Sequence, residues 1–294
     1  VECYKNFILD GLPDELRTRV QRFREYVVNF DGNKAFYSAT KTNFGRSALS
    51  PNARNLVGYL SGNRRRNVNV EYFAVDPVRK LRANLKRLWR RSASRRWLRG
   101  SVDEIPRRSV FLPLHFQPEQ STLVGGVFYV NQLALVEDVS KSLPLGYVLV
   151  VKEHPAGRGT RPIYHYRQMS ELPNVIFCEG DSKEIARATE CVVTVTGTIA
   201  VESLALDRPV VVLGRSFFDF SDLFYRVASV QELGDVLRRI LVQCAFTNRE
   251  GRDDLVDKFL AAYLSGLRAG YPVPENGPVI GEHVRDLYEN HKPV

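Results

Sequence analysis

The stretch Val193–Ser203, VTVTGTIAVES, decides the fold of this chain. An apolar run is followed by a Thr-Gly-Thr turn and then by a helix-like segment, which predicts a strand, a tight turn and a helix N-terminus. Such a terminus binds anions, phosphate above all, because its backbone N–H groups lack intrahelical partners. We therefore predict that Thr196, Gly197 and Thr198 bind phosphate and that Glu202, one turn further, holds ribose hydroxyls. The alternative is a plain strand–helix turn with a capping threonine.

Strands and helices alternate from residue 106 to the C-terminus, whereas residues 1–105 have mainly helical patterns. The predicted strands are Ser109–Leu114, Tyr147–Lys152, Val175–Phe177, Cys191–Val195 and Pro209–Leu213. The predicted helices are Asp14–Phe30, Pro51–Ser61, a basic helix opening at Asp76, Gly126–Ser142, Tyr164–Ser170, Ser182–Ala188, Ile199–Ala205, Leu223–Val242 and Asp253–Ala269. This alternation predicts an α/β fold with a parallel sheet covered by helices on both faces, preceded by a helical N-terminal region.

Phe111–Thr122, FLPLHFQPEQST, places polar residues just beyond the first predicted strand. Ligands of open α/β sheets bind beyond the carboxyl ends of the strands. Glu119 stands there beside His115 and Gln117, and we take these three residues as catalytic candidates. A carboxylate in this place could act as a base or nucleophile, or could stabilise an oxocarbenium-like centre. A surface charge or a helix cap is the alternative for Glu119.

Val150–Pro155, VVKEHP, ends the second predicted strand. Strand alternation sends Lys152 and His154 to the same side, and a loop rich in glycine and arginine follows, with Arg158 and Arg161. This pattern predicts a phosphate clamp, although an isolated histidine is often structural. Further along, Cys178–Ser182, CEGDS, follows a strand and could meet a nucleotide base through its backbone groups, although Asp181 or Ser182 could equally be a simple helix cap.

The net charge of +9 is concentrated in Arg79–Arg99, which holds ten Lys or Arg and no acid. Apolar residues recur there at helical spacing: Val78, Leu81, Leu85, Leu88 and Trp89. The stretch predicts a basic amphipathic helix. It could be a solvated helix packed by its apolar stripe, or it could attach to an anionic membrane surface. Aromatic interleaving is thin, which disfavours nucleic acid.

Several protein classes are disfavoured by the sequence. The longest apolar runs fall far short of the roughly 20 residues that span a bilayer. The four cysteines lie far apart without metal-ligand spacing, which indicates reduced thiols and a cytoplasmic location. The first residue is Val1 rather than Met, and no signal-like segment follows it, so we expect a trimmed chain or a fragment.

The combined order of PLHFQPE, KEHP and TGTIAVES, within residues 108 to 216, resembles the capsule polysaccharide biosynthesis family of bacterial glycosyltransferases, related to the retaining β-Kdo transferases. The resemblance implies a GT-B-like protein in which residues 106–294 form the Rossmann-like, nucleotide-sugar-binding domain. Residues 1–105 form an acceptor-side region shorter than a complete first Rossmann domain. It also implies that His154 and the Thr-Gly-Thr turn bind the donor phosphate, that Glu202 binds its ribose, and that the loop of Glu119 faces the transferred sugar.

The implied activity moves a sugar from a nucleotide donor, such as CMP-linked Kdo or a related ulosonic acid, onto a glycan or glycolipid acceptor. The enzyme is expected in the cytoplasm, peripherally at the inner face of the cytoplasmic membrane. No metal or cofactor is expected, because cationic side chains and helix N-termini offset the leaving phosphate in GT-B enzymes. Two alternatives stay open: a sugar epimerase or polyol-phosphate transferase on the same scaffold, and a non-catalytic polysaccharide export or assembly factor.

Overall fold

The computed structural model describes residues 14–29, 77–216, 218, 221–248 and 250–265. The predicted helix Pro51–Ser61 lies outside the described residues, as does the side-chain packing of Val78 and Leu81. The chain divides into two compact units, one of Val1–Glu25 with Glu250–Val294 and the other of Tyr26–Arg249. The division predicted at residue 105 falls inside the larger unit and stays a prediction.

The larger unit is built on a parallel sheet of six strands in the order β3-β2-β1-β4-β5-β6. The strands are β1 (Ser109–Pro113), β2 (Val148–Lys152), β3 (Val175–Phe177), β4 (Cys191–Thr194), β5 (Val210–Val212) and β6 (Phe224–Arg226). Each of the first five lies within a residue or two of its predicted position. The sheet confirms the α/β class.

The sixth strand corrects the prediction of one helix over Leu223–Val242. Phe224–Arg226 pairs with Val210–Val212, and the following helix begins only at Val230. The edge of β5 offers free backbone groups, and the aromatic pair in this short segment favours a strand. Pairing with the sheet therefore overrides the apolar periodicity that continues into the helix.

The described helices and short 3₁₀ turns connect the strands. The helices are α1 (Asp14–Asn29), α2 (Pro77–Ser94), α3 (Gln120–Gly125), α4 (Gln132–Ser142), α5 (Ile163–Ser170), α6 (Ser182–Ala188), α7 (Ile199–Ala205), α8 (Val230–Leu241) and α9 (Arg252–Ser265). None of these helices combines the length and apolar character needed to cross a bilayer. The helix predicted over Gly126–Ser142 is wrong in its first part, because Asn131 starts α4 by accepting hydrogen bonds from the N–H groups of Leu133 and Ala134.

The core lies on both faces of the sheet. Phe111, Val150 and Val192, which are register partners on β1, β2 and β4, pack on one face. Their neighbours Leu112 and Val151 pack on the other. Full burial of such side chains stabilises the fold by about 1.5–3 kcal/mol each. This packing holds the carboxyl ends of β1, β2 and β4 in fixed positions at one edge.

The smaller unit contains a salt bridge and an aromatic contact between α1 and α9. Arg24 Nη2 lies 2.8 Å from Asp257 Oδ1, and Arg19 Nη2 donates to the carbonyl of Leu264 at 2.9 Å. The rings of Phe23 and Tyr263 have centroids 6.3 Å apart. The sequence-predicted site residues all belong to the other unit.

Candidate functional site

The strand order reverses between β1 and β4, because the chain passes from β1 to β2 and β3 on one side and then returns to β4 on the other. Ligands of open α/β sheets bind in the crevice at such a switch point. His115 follows β1 and Thr194 ends β4, and His115 Nε2 lies 3.3 Å from Thr194 Oγ1. These two side chains join the strand ends at the switch point, and we call them the β1–β4 junction.

Both the backbone and the ring of His115 have hydrogen-bond partners. Its backbone N–H donates to Gln132 Oε1 at 2.9 Å, and its backbone carbonyl accepts from Arg161 Nη2 at 3.2 Å. Burial, with smaller contributions from His154 and Arg161, lowers the pKa of His115 to about 4. The imidazole is therefore neutral near pH 7. Its surroundings suit a positioning role, and the catalytic role predicted for it stays a prediction.

Gly197 lies at the turn after β4 because no larger residue fits there. Its N–H donates to Thr194 Oγ1 at 3.1 Å. A Cβ at this position would lie 2.8 Å from that oxygen and 3.4 Å from His115 Cε1. The close approach of this backbone to the β1–β4 junction therefore requires glycine.

The N-terminus of α7 leaves its first backbone donors outside the helix. Thr198 is exposed at the N-cap position, and its side chain makes no capping hydrogen bond, so the capping alternative is wrong. The first intrahelical bond runs from Ala200 N–H to the Gly197 carbonyl, and the amides of Thr198 and Ile199 precede it. Thr196 is buried, and its Oγ1 has no hydrogen-bond partner among the described residues.

Lys152, Ser182 and Glu202 form a second cluster, which we call the Lys152 corner. Lys152 Nζ lies 2.7 Å from Ser182 Oγ. Burial lowers the pKa of Lys152 to about 8, and the Asp181 carboxylate opposes this shift. Asp181 is the N-cap of α6 and accepts from the Lys183 N–H at 2.8 Å. Ser182 therefore does not cap the helix, and its hydroxyl contacts the lysine instead.

Glu202 faces the same corner from α7. Burial raises the pKa of its carboxyl, Lys183 and Lys152 act in the opposite direction, and Asp181 adds to the rise. Glu202 and Lys152 therefore interact electrostatically, and the donor-binding role predicted for them stays a prediction. The corner therefore combines cations for a phosphate with a carboxylate that can accept hydrogen bonds from hydroxyls.

His154 and Glu119 follow the ends of β2 and β1, where His154 is half-buried and Glu119 is exposed. His154 Nδ1 accepts a hydrogen bond from the Ala156 N–H at 3.1 Å. Burial lowers the pKa of His154, while the Glu119 carboxylate raises it, so the two side chains interact. Glu119 is exposed at the N-cap position of α3 and makes no capping bond. Gln117 Nε2 donates to the Val130 carbonyl at 2.6 Å, which holds this loop against the start of α4.

The two predicted arginines already have acidic partners. Arg161 Nε lies 2.6 Å from Glu153 Oε2, with both side chains buried. Arg158 Nη2 lies 3.1 Å from Glu179 Oε1. The geometry favours positioning roles for both guanidinium groups, and their direct contact with a donor stays a prediction.

Sequence reasoning missed several residues of the site: Gln132, Glu153, Tyr166, Lys183 and Thr194. Thr194 carried one signal, since it is polar at the end of an apolar strand. The others have roles that depend on partners distant in the chain. Among the described residues, no group of three His, Cys, Asp or Glu side chains is arranged to hold a metal ion; the expectation of a metal-independent reaction stays a prediction.

Residues 129–228 match the model of a family described as capsule polysaccharide biosynthesis protein. The match confirms the resemblance to this family over that segment, which contains the KEHP and Thr-Gly-Thr motifs and lies entirely within the larger unit. No curated protein matches the chain at a significant level.

Several solved structures are similar to the chain. One is the β-Kdo 2,7 transferase of KpsC from Thermosulfurimonas dismutans, at 19% identity and a TM-score of 0.36 over 56% of this chain and 53% of that one. The β-Kdo 2,4 transferase of the same KpsC has 17% identity and a TM-score of 0.34, over 66% and 58%. Anabaena HepE in complex with UDP-glucose has 14% identity and a TM-score of 0.39, over 56% and 50%. The chain spans about half the length of these structures.

Proposed function

We propose that this chain is the donor-binding part of a glycosyltransferase that acts in capsule or surface polysaccharide synthesis, and that the carboxyl edge of its sheet binds a nucleotide-sugar. One observation carries the proposal. Residues of the three motifs lie at the carboxyl ends of neighbouring strands: His115 lies 3.3 Å from Thr194 at the switch point between β1 and β4, and Lys152 contacts Ser182 at the end of the adjacent strand β2. The match of residues 129–228 to the capsule family supports the same activity.

The charges of the Lys152 corner suit a nucleotide phosphate. Lys152 is mainly protonated at pH 7, since its pKa lies about 8. Together with His154 and the free amides of α7, it offers donors that strengthen as negative charge develops on the departing phosphate. Glu202 accepts hydrogen bonds from the ribose hydroxyls. Because the cation is desolvated before the donor arrives, its interaction with the phosphate is less screened than at the surface.

Glu119 is the residue that faces the transferred sugar in this proposal. It is exposed, it interacts electrostatically with His154, and its loop is held by Gln117. A carboxylate so placed can remove a proton from the acceptor hydroxyl, act as the nucleophile, or stabilise positive charge on the anomeric carbon. CMP-linked Kdo or a related ulosonic acid is the donor that we propose.

A thermal-shift screen over CMP, CDP, UDP and GDP tests the donor site. A ligand at 100 times its dissociation constant stabilises the fold by about 2.7 kcal/mol, so a real donor nucleotide raises the melting temperature visibly. We expect CMP to give the largest shift. A screen in which none of the four nucleotides stabilises the protein contradicts the proposal.

Activity assays separate the remaining alternatives. A glycosyltransferase consumes donor only with a glycan or glycolipid acceptor present. Free epimerised sugar formed without an acceptor identifies an epimerase, and transfer of a polyol phosphate identifies the related transferase. Nucleotide binding without turnover on any acceptor identifies an export or assembly factor.

We also propose that α2 attaches the protein to an anionic membrane surface at the inner face of the cytoplasmic membrane. The helix presents Leu85, Leu88 and Trp89 on one face, and these side chains are 57%, 61% and 63% exposed. They are not packed in the core, which disagrees with the packed-stripe interpretation. Exposed cations surround them, and each contributes about 1 kcal/mol near an anionic surface.

The opposite side of α2 contacts the loop that follows His154. Arg90 Nη1 donates to the Thr160 carbonyl at 2.8 Å, and Arg87 Nη2 donates to the Ala156 carbonyl at 3.4 Å. A Cβ at Gly159 would lie 2.4 Å from the Arg87 carbonyl. The proposed membrane face therefore lies on a helix that is fixed to the donor loop.

Co-sedimentation with vesicles tests the membrane proposal. We expect binding to phosphatidylglycerol vesicles but not to phosphatidylcholine vesicles, with loss at high salt. Replacing Leu85, Leu88 and Trp89 by serine should abolish it, whereas Arg238→Gln with Arg239→Gln on α8 removes two cations elsewhere and should leave it unchanged. A wild-type protein that stays in the supernatant with anionic vesicles at low salt contradicts the proposal.

A further inference from the structure

Glu153 is the least exposed charged residue in the described part of the chain, at 1%. Its carboxylate accepts from Arg161 Nε and from the Tyr166 hydroxyl, both at 2.6 Å. Burial alone would lower the pKa of Arg161, but the Glu153 carboxylate raises it. Arg161 is therefore a charged group held against the Glu153 carboxylate in the protein interior. Burying two ions is costly, and packing alone does not account for their presence at this edge.

The pair contacts the backbone of both histidine loops. Glu153 Oε1 accepts from the His154 N–H at 2.9 Å, and Arg161 Nη2 donates to the His115 carbonyl at 3.2 Å. A Cβ at Gly157 would lie 2.5 Å from Glu153 Oε1, so glycine leaves room for the carboxylate under the loop. One ion pair thus connects the chain after β1, the chain after β2 and α5.

A second contact of His154, made by Ala156, indicates which nitrogen of the imidazole ring carries the proton. Glu153 accepts from the backbone N–H of His154. Two residues further along the loop, the backbone N–H of Ala156 donates to His154 Nδ1 at 3.1 Å. A neutral imidazole that accepts at Nδ1 carries its proton on Nε2. Nε2–H is the donor that a phosphate oxygen requires.

We propose that Glu153, acting through Arg161 and the His154 N–H, is the positioning residue of the nucleotide site: it sets the geometry of both histidine loops and the tautomer of His154. This inference rests on the proposed function, since the nucleotide phosphate is the ligand that His154 would contact. Glu153 itself touches no donor. Its effect is to preorganise the groups that do, and misplacement of such groups by about 1 Å can cost two orders of magnitude in rate.

A paired substitution separates positioning from simple stabilisation. Glu153→Gln together with Arg161→Met removes both charges, and replacing a buried ion pair by neutral residues is often neutral for stability. We expect the paired variant to melt near the wild-type temperature but to bind the nucleotide about tenfold more weakly or worse. In ¹⁵N-histidine NMR of the ligand-free protein, His154 should change from the Nε2–H tautomer to a mixture.

Tyr166→Phe is the milder test, and Tyr147→Phe is its matched control. Each substitution removes one tyrosine hydroxyl from a carboxylate, Glu153 in the first case and Glu190 in the second, where the distance is 2.9 Å. Both rings are buried, so similar losses of melting temperature are expected. Only Tyr166→Phe should weaken nucleotide binding and alter the His154 NMR signals.

The outcomes distinguish the two proposals. Wild-type nucleotide affinity and an unchanged His154 tautomer in the paired variant overturn the positioning role. If the paired variant does not fold, equal nucleotide affinities and His154 signals in the two tyrosine variants overturn it instead. A wild-type protein that binds no nucleotide contradicts the proposed function, and the His154 tautomer still decides the positioning role.

Discussion

The β1–β4 junction and the Lys152 corner lie at the same edge of the sheet, and burial lowers the pKa of the ionisable side chain in each, but the resulting charges at pH 7 differ because the ordinary pKa values differ. Burial lowers the pKa of His115 to about 4, so the junction is neutral. It lowers the pKa of Lys152 from its ordinary value of 10.5 to about 8, so the corner stays charged at pH 7. In our proposal, the neutral junction positions the strand ends, whereas the charged corner binds the anionic ligand.

The largest expected effect concerns the stability of the neutral junction. The pKa of His115 in the folded state lies below its ordinary value of 6.5, so the unfolded chain binds more protons between these values and the fold loses stability as the pH falls from about 6.5 to 4. The shift corresponds to about 3 kcal/mol. Urea unfolding of the wild type and of His115→Gln checks this.

His115→Gln cannot take up this proton, so its free energy of unfolding should change less over the same pH interval. The other titrating groups are shared, and the difference between the two proteins isolates His115. Parallel curves for both proteins would show that the junction contributes nothing to acid sensitivity.

The next prediction concerns Glu119, which is exposed, in contrast to the ionisable side chains of the two buried clusters. Glu119→Gln keeps the size and hydrogen bonding of the side chain but removes its charge. Because Glu119 is exposed, we expect nucleotide affinity to survive while turnover falls about a hundredfold, the scale of a lost acid–base contribution. Steady-state kinetics measures the turnover, and titration with nucleotide measures the affinity. A wild-type transfer rate in Glu119→Gln would mean that the loop of Glu119 is structural.

The smallest effect concerns the charge of the Lys152 corner. If phosphate binding requires the protonated amine, affinity is full below the folded pKa of about 8 and falls as the pH rises through it. The loss should be about tenfold between about pH 7 and pH 9. Lys152→Met should bind weakly at both pH values, with a flat profile. A wild-type profile that is equally flat would remove Lys152 from the phosphate site.

Most of the sheet could be predicted from the sequence, because the strands of a parallel sheet are buried on both faces and appear as short apolar runs between helical patterns. Phe224–Arg226 could not, since its apolar pattern continues into the helix that begins at Val230, and it pairs as a strand because β5 has a free edge. Likewise, the pattern of Leu85, Leu88 and Trp89 predicted the face of α2 but not its exposure. Exposure depends on which side of the helix contacts the loop of Ala156 and Thr160.

The site was predictable where chemistry coincides with strand ends. Lys152 ends β2 and His154 follows it, while Glu202 lies in the first turn of α7, the helix that follows β4. The side-chain contacts at the strand ends were not predictable, because the contacting residues are distant in the chain: Ser182 is 30 residues from Lys152, and Thr194 is 79 residues from His115. Glu153 lies within a recognised motif, yet its burial against Tyr166 is a property of the packed structure.

The most direct test of the central claim, that the carboxyl edge binds a nucleotide through its phosphate, is calorimetric titration of a nucleotide against its own nucleoside. The pair is CMP with cytidine, or the best nucleotide of the thermal-shift screen with its nucleoside. We expect the wild type to bind the nucleotide far more tightly than the nucleoside. His154→Ala should weaken only the nucleotide, and Glu202→Ala should weaken both. Equal affinities for nucleotide and nucleoside in the wild type, or unchanged affinities in both variants, would contradict the claim.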